Sequence, residues 1–295
     1  MAVIPTSSRC PACGATYRGA LAACPLDGAP LAPVESALVG RVFEGIEVVR
    51  EIGEGSTAVV YEALHEGQRR ALKVLTPRSS QRRVVRERFE RASRAAMRVV
   101  HPGVLRVHWL GAVDDQPCLV MELAAGSLRA RPLPLSLAET VSLLAAIADA
   151  LAAAHAASVV HRDVKPENVL FSTAGAPMLG DFGLARAEGE PSFTQTGQIV
   201  GTPRYLAPES LTGRAGPPAD VYALGCVAFE LLTGAPPFVG SARQIIDAHA
   251  SREPEVGALP PPVRNLVATL LAKAPEARPT AADVAATLRV LASSG

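Results

Sequence analysis

From Gly40 to Lys73 apolar and polar residues alternate, which predicts β-strands. A glycine-rich turn, Ile52-Gly53-Glu54-Gly55-Ser56-Thr57-Ala58-Val59-Val60-Tyr61, separates two of them. Arg78 to Val100 follows a helical period. Further strands are expected around Trp109-Leu110 and over Leu119-Val120-Met121-Glu122-Leu123-Ala124, the latter leading into a hinge. Arg129 to Leu135 is Pro-rich and loop-like, and a helix follows from Ser136. Its apolar stretch, Val141 to Val160, is long enough to be mistaken for a membrane span. Asp149 and His155 fall inside it, and a central Asp costs about 2.5–3.5 kcal/mol in a span. The stretch is therefore expected to be a buried helix of a soluble domain. Val159-Val160 and Val169-Leu170-Phe171 then enclose a polar loop, and Met178-Leu179-Gly180 leads to Asp181. Leu184 to Ile199 is polar and broken by Gly189, Pro191 and Gly197. Helices are expected from Asp220 to Leu232 and from Ala281 to Leu291.

The chain has 295 residues, enough for a large core and about two domains by the length prior. Hydrophobic residues make up 48% and charged residues 19%, which excludes a disordered chain. A net charge of +1 gives no support to nucleic-acid or membrane binding by the whole chain. Met1 to Arg9 has no apolar core of signal-peptide length. Five cysteines, an odd number, do not suggest a disulfide framework, and cytosolic thiols are the simpler reading.

The polar loop is His161-Arg162-Asp163-Val164-Lys165-Pro166-Glu167-Asn168. Its acid, lysine and amide suit phosphoryl transfer: the acid positions a hydroxyl nucleophile, the lysine offsets charge, and the amide oxygen coordinates Mg²⁺. The alternative is a polar turn between buried strands, and the length of His-Arg-Asp-x-x-x-x-Asn weighs against it. Thirteen residues after Asn168 comes Asp181-Phe182-Gly183, a second acid on a tight turn able to hold a metal. The two motifs in this order resemble the eukaryotic-like (Hanks-type) protein kinases. The resemblance runs from about Arg41 to Leu291, and the Pro, Ala and Arg content with the amino-terminal module is similar to bacterial members. Asp163-x-Lys165 with Gly201-Thr202-Pro203 resembles the serine/threonine rather than the tyrosine kinases.

The resemblance implies an α+β, two-lobed kinase fold, with an N-lobe over about 41–123 and a C-lobe over about 124–293. It implies ATP and Mg²⁺ as cofactors and protein serines or threonines as substrates. Asp163 and Lys165 would be catalytic, with Lys73 and Thr202, and Asn168 and Asp181 would hold Mg²⁺. Gly53, Glu54, Gly55 and Ser56 would cover the nucleotide, with Ala58 in place of the third glycine. Ile52, Val60, Ala71 and Leu170 would line the nucleotide site. Met121 would be the gatekeeper, and backbone groups around Glu122 and Ala124 would bind the adenine edge. Lys73 would bind the α- and β-phosphates; its alternative is an edge-strand solubiliser. Thr194 and Thr196 are expected phosphorylation sites, where a phosphate would meet Arg162. Asp220 would hold the catalytic loop, and Arg278 would pair with Glu209. A cytoplasmic kinase with a homodimer for trans-autophosphorylation fits the resemblance, with no membrane span and no nucleic-acid partner. One departure stands out. The helix glutamate that pairs with the strand lysine falls, nine residues before His101, at Ala92. Glu90 and Glu87 lie off that face, so the rival reading is a nucleotide-binding pseudokinase.

Residues 9–31 precede this domain, with 32–40 as linker. Cys10-Pro11-Ala12-Cys13-Gly14 and Cys24-Pro25-Leu26-Asp27-Gly28 are similar half-units, each with potential ligands three apart and a following glycine. They resemble a zinc ribbon, with Asp27 in the fourth cysteine's place. The alternative is that Asp27-Gly28 is only a turn and Cys24 a small buried hydrophobe. From Met1 to Gly40 the only cations are Arg9 and Arg18, too few for nucleic-acid binding.

Overall fold

The computed structural model describes residues 7–13, 16–18, 21–33, 38–182 and 203–293. The chain divides into two compact units, Met1–Glu87 with Val107–Leu123, and Arg88–Arg106 with Ala124–Gly295.

The first unit begins with three short strands, β1 (Ser7–Arg9), β2 (Thr16–Arg18) and β3 (Ala32–Pro33), in the antiparallel order β2-β1-β3. The pairing of Ser8 with Pro33 and Arg9 with Ala32 carries this module past residue 31, into the expected linker. Its second half is a small hairpin in which Ala23 bridges Pro30 and Gly28, at φ +74°, donates its N–H to Cys24 O at 2.9 Å.

Six antiparallel strands follow: β4 (Val42–Phe43), β5 (Ile46–Glu54), β6 (Ala58–His65), β7 (Gln68–Leu75), β8 (Val107–Val113) and β9 (Gln116–Glu122). They are ordered β4-β5-β6-β7-β9-β8. The alternation seen in the sequence puts Ile46, Val48, Tyr61, Leu72, Val74 and Val120 on one buried face. Gly111 is required by its neighbour: a Cβ there would lie 2.2 Å from the Trp109 ring.

The helical stretch expected over Arg78–Val100 is split into α1 (Pro77–Ser80) and α2 (Arg83–Met97). Thr76 caps the start of α1, with its hydroxyl accepting from Ser79 N and Pro77 in the first turn, and Gln81 is the C-cap that closes this single turn before α2.

The second unit holds a small sheet of β10 (Gly126–Ser127), β11 (Val169–Phe171) and β12 (Pro177–Leu179). Its helices are α3 (Leu137–Ala156), α4 (Pro217–Thr233), α5 (Ala242–Ser251), α6 (Pro261–Leu270) and α7 (Ala281–Ser293). Ser136 and Glu139 form a reciprocal capping box that starts α3. Leu143, Leu144, Ile147, Ala148, Leu151 and Ala154 of α3 are buried, and the helix packs against α4, α7 and β12. Among the described residues α3 is the one helix long and apolar enough to cross a membrane; here it is a core helix of this unit. Helix α4 is buried along nearly its whole length. Gly225 lets α6 approach it, since a Cβ there would lie 2.8 Å from the Leu270 Cβ.

Candidate active site

The antiparallel register of β11 and β12 builds half of the site. Val169 pairs with Leu179, which sets Asn168 opposite Gly180, and Gly180 N donates to Asn168 O at 2.9 Å. Asn168 and Asp181 are thereby brought to the same end of one hairpin. The Asn168 amide nitrogen donates to the Asp163 carbonyl at 2.8 Å and to Asp163 Oδ2 at 3.0 Å. Both donor bonds fix which end of the amide is nitrogen, so its oxygen points away from Asp163. Lys165 Nζ also donates to Asp163 Oδ2, at 2.6 Å. Asp163, Lys165 and Asn168 thus form one contiguous polar cluster, with the Asp163 and Lys165 side chains about 30% exposed.

The loop is held from below by Asp220, in the first turn of α4. Its Oδ1 accepts from Arg162 N at 2.7 Å, and its Oδ2 accepts from His161 N and from His155 Nε2, both at 2.8 Å. These bonds stabilise Arg162 at φ +66°, a conformation that costs a non-glycine residue about 1–3 kcal/mol. Asp181 has φ +60°, so both motifs place a non-glycine residue in the left-handed region. His161 is fully buried; its Nδ1 accepts from Asp163 N at 3.2 Å and its Nε2 donates to Gly180 O at 2.8 Å. One imidazole therefore ties the 161–168 loop to the residue before Asp181 and fixes its proton on Nε2. Its ring also packs on Phe182 at 4.6 Å between centroids.

The turn Pro203–Tyr205 lies alongside. Tyr205 OH donates to the buried carboxylate of Glu230 at 2.5 Å, and Arg129 donates to the same carboxylate at 2.9 Å. Burial and that carboxylate push the Tyr205 phenol far up, so it stays a donor. Arg162, Asp163 and Val164 share a cavity wall with Tyr205, Leu206, Ala207 and Ser210. Further out, Arg278 binds Glu209 through two parallel bonds of 2.6 and 3.0 Å and also donates to the carbonyls of Pro218, Ala272 and Lys273. The guanidinium is fully buried, and these partners satisfy it.

In the first unit, Lys73 sits on β7 between β6 and β9, paired with Val60 and Leu119. The strand is central, so the edge-strand reading does not apply. Val60, Ala71, Lys73 and Met121 share one face of the sheet, opposite the face of Leu72, Val74 and Val120. Gly53 and Gly55 close the β5–β6 hairpin, where Gly55 N donates to Ala58 O at 2.8 Å. A Cβ on Gly53 would meet nothing within 4 Å, so the space beside this residue is open. Ile52 lies at a register shift between Glu51 and Gly53, Glu54 and Ser56 are exposed, and Glu122 ends β9. In the second unit Leu170 is in mid-β11, paired with Met178, and Ala124 precedes an N–H of Ala125 that donates to Phe171 O.

On α2, Ala92 lies on the buried stripe with Phe89, Ser93 and Ala96. Glu87 pairs with Arg83 and Glu90 with Arg94, both one turn apart along the helix.

In the amino-terminal module Cys10, Cys13, Cys24 and Asp27 each offer a ligand atom, all within 4.8 Å of one another. The Cys13 and Cys24 sulfurs are 3.7 Å apart, and Cys10 Sγ is 3.2 Å from Asp27 Oδ2. Tetrahedral zinc with bonds of about 2.3 Å to sulfur sets sulfurs about 3.8 Å apart, so the donors fit. Cys13 N donates to Cys10 Sγ, and Ala29 N to Asp27 Oδ1. The Ala29 N–H and the surrounding thiols lower the Asp27 carboxyl to about 2, keeping it a carboxylate.

Thr194, Thr196 and Thr202 lie outside the described residues. Sequence reasoning missed His155, Arg129 and Glu230 as supports. His155 carried a signal, a titratable ring in an apolar helix, but its partner is 65 residues away.

Residues 46–288 match the protein kinase domain family, and the chain belongs to that family. Its kinase domain is of the bacterial serine/threonine kind. It is 40% identical to serine/threonine-protein kinase PknD of Mycobacterium tuberculosis over 254 residues, which cover 81% of this chain and 38% of that protein. It is 39% identical to serine/threonine-protein kinase PkaA of Streptomyces coelicolor over 264 residues, covering 82% and 49%. The crystal structure of the Mycobacterium tuberculosis PknI kinase domain is similar at a TM-score of 0.67 and 30% identity, covering 87% of this chain and 99% of that one. The chain spans less than half the length of these two curated relatives. Family membership implies ATP and Mg²⁺, and the relatives do not favour the pseudokinase reading.

Proposed function

We propose that the chain transfers the γ-phosphoryl group of ATP to serine or threonine hydroxyls of proteins. The observation that carries this is the cluster of Asp163, Lys165 and Asn168 set beside Asp181 by the β11–β12 register. Asp163 Oδ2 is taken by Lys165 and Asn168, and Oδ1 is assigned to the acceptor hydroxyl. Asp163 orients that hydroxyl and takes its proton as the new O–P bond forms and the bond to the ADP oxygen breaks. Lys165 offsets charge on the moving group. The Asn168 amide oxygen and the Asp181 carboxylate are hard donors suited to Mg²⁺, which neutralises phosphate charge when bound. Lys73 grips the phosphates under the Gly53–Gly55 loop, and Thr202 supports the acceptor. Thr194 and Thr196 are assigned as autophosphorylation sites, met in trans in a transient homodimer. Use of ATP and reduced thiols support a cytoplasmic place. The amino-terminal module is assigned as a zinc ribbon held by Cys10, Cys13, Cys24 and Asp27, supported by the tetrahedral spacing of their donors.

The test is incubation with γ-labelled ATP and Mg²⁺, followed by acid hydrolysis and phosphoamino-acid analysis. Labelled phosphoserine and phosphothreonine are expected, and neither is expected from Asp163→Asn. Label on tyrosine alone would overturn the specificity, and no label would overturn the activity.

A further inference from the structure

His249, on α5, is fully buried and lies outside the cluster of Asp163, Lys165 and Asn168. Its Nε2 lies 3.1 Å from the carbonyl oxygen of Arg204, and its Nδ1 lies 2.9 Å from Tyr222 OH on α4. A carbonyl only accepts, so Nε2 carries the proton and Nδ1 is bare. Tyr222 OH therefore donates to Nδ1, and its oxygen accepts from Lys273 Nζ at 3.3 Å. The result is a chain of bonds running one way, from Lys273 through Tyr222 and His249 to the Arg204 carbonyl. The ring is fixed as well as bonded. Phe238 meets it edge-on at 4.9 Å and Tyr222 at 5.6 Å. Lys273 sits over both aromatic rings, and Arg278 stacks on the other partner ring, Tyr222, at 4.8 Å. Burial and the Lys273 charge lower the imidazole to about 4, so the neutral tautomer persists through the physiological range.

Arg204 belongs to the turn Pro203–Tyr205, and the next residue is anchored separately through Tyr205 and Glu230. Two buried side chains from α4 and α5 thus clamp two successive residues of one turn. The residues that follow, Tyr205 to Ala207, line one cavity together with Asp163 and Asp220. Asp163, assigned to the acceptor hydroxyl, is thus a neighbour of the wall formed by 205–207.

We infer that His249 is a positioning residue for the protein substrate: by holding the Arg204 carbonyl it fixes the wall, 205–207, against which the acceptor lies beside Asp163. The inference rests on the kinase reading. ATP affinity is not expected to depend on it, because nothing in the relay runs to Lys73, Asn168 or Asp181.

The experiment compares wild type, His249→Phe and His249→Gln as full chains, with myelin basic protein as acceptor and amide hydrogen exchange as a readout independent of activity. In His249→Phe, exchange at residues 204–207 rises about tenfold while α3 and α4 are unchanged, as expected for loss of one buried hydrogen bond. The KM for the acceptor rises about tenfold, and the KM for ATP stays within twofold. Gln keeps an N–H donor and an acceptor, so His249→Gln recovers most of both effects. Unchanged exchange at 204–207 in both variants would overturn the anchor. Faster exchange with an unchanged acceptor KM, or an equal rise in both KM values, would overturn the substrate role. No transfer by wild type would instead sink the kinase reading while exchange still decides the anchor. If His249→Phe does not fold, ¹⁵N shifts of the wild-type ring decide: a bare Nδ1 and protonated Nε2 are expected, and the reverse tautomer would refute the relay.

Discussion

Replacing Asp220 with alanine removes the acceptor for two backbone N–H groups, the buried one of His161 and the part-buried one of Arg162. Each orphaned group costs about 1–3 kcal/mol. His155 is partly exposed and can find water instead. Against this, Arg162 can relax from φ +66°, which returns about 1–3 kcal/mol. The net loss is about 2 kcal/mol, or about 4–8 °C in Tm for a lobe of this size. Asp163 follows directly, so the relaxed loop also misplaces the proposed catalytic carboxylate, and a displacement of about 1 Å costs roughly a hundredfold in rate. Asp220→Asn keeps one acceptor oxygen and should fall between wild type and Asp220→Ala on both measures. Differential scanning calorimetry and initial rates of labelled-phosphate transfer make the comparison. An Asp220→Ala protein that melts within 2 °C of wild type (about 1 kcal/mol or less) and turns over at the wild-type rate would refute the loop-anchoring role.

Ala92→Glu should raise turnover by about tenfold, equivalent to roughly 1.4 kcal/mol, by restoring a carboxylate on the buried stripe of α2; steady-state kinetics with Lys73→Met alongside will show it, and no gain would remove Ala92 as the weak point. Metal analysis of protein prepared without chelator should find about one zinc per chain; Asp27→Cys should keep it, and Cys13→Ser should lose it while the kinase domain melts unchanged. Acid should destabilise the C-lobe through His249. Its folded value near 4 lies below the ordinary 6.5, so stability is lost as pH falls from about 6.5 to 4, by on the order of 3 kcal/mol. His249→Phe should flatten that part of the pH–Tm curve, and an unchanged acid slope would count against the buried neutral ring.

The parts of the site that were legible in the sequence are the local ones. His161 to Asn168 and Asp181 to Gly183 are short, chemically dense motifs, and the alternation from Gly40 to Lys73 became strands. The count from His101 fell on Ala92, and the helical period places that residue with Phe89, Ser93 and Ala96 on the buried stripe of α2. What was not legible depends on distant pairings. The His155–Asp220 bond spans 65 residues, Arg129–Glu230 spans 101 and His249–Arg204 spans 45, and no local period marks any of them. The break between α1 and α2 was missed for another reason: the helical period of the arginines continues across it, while the Thr76-Pro77 cap acts over a single turn. The β3 strand is two residues long and pairs with β1, far upstream, so it looked like linker.

The central claim is that Asp163 directs transfer of the γ-phosphoryl group. A single measurement addresses it: initial rates of labelled-phosphate incorporation by wild type and Asp163→Asn at saturating Mg²⁺ and ATP, with equal nucleotide binding verified for both. The account predicts transfer by wild type that falls at least a hundredfold in Asp163→Asn while nucleotide affinity is retained. Wild-type incorporation no greater than that of Asp163→Asn would contradict it.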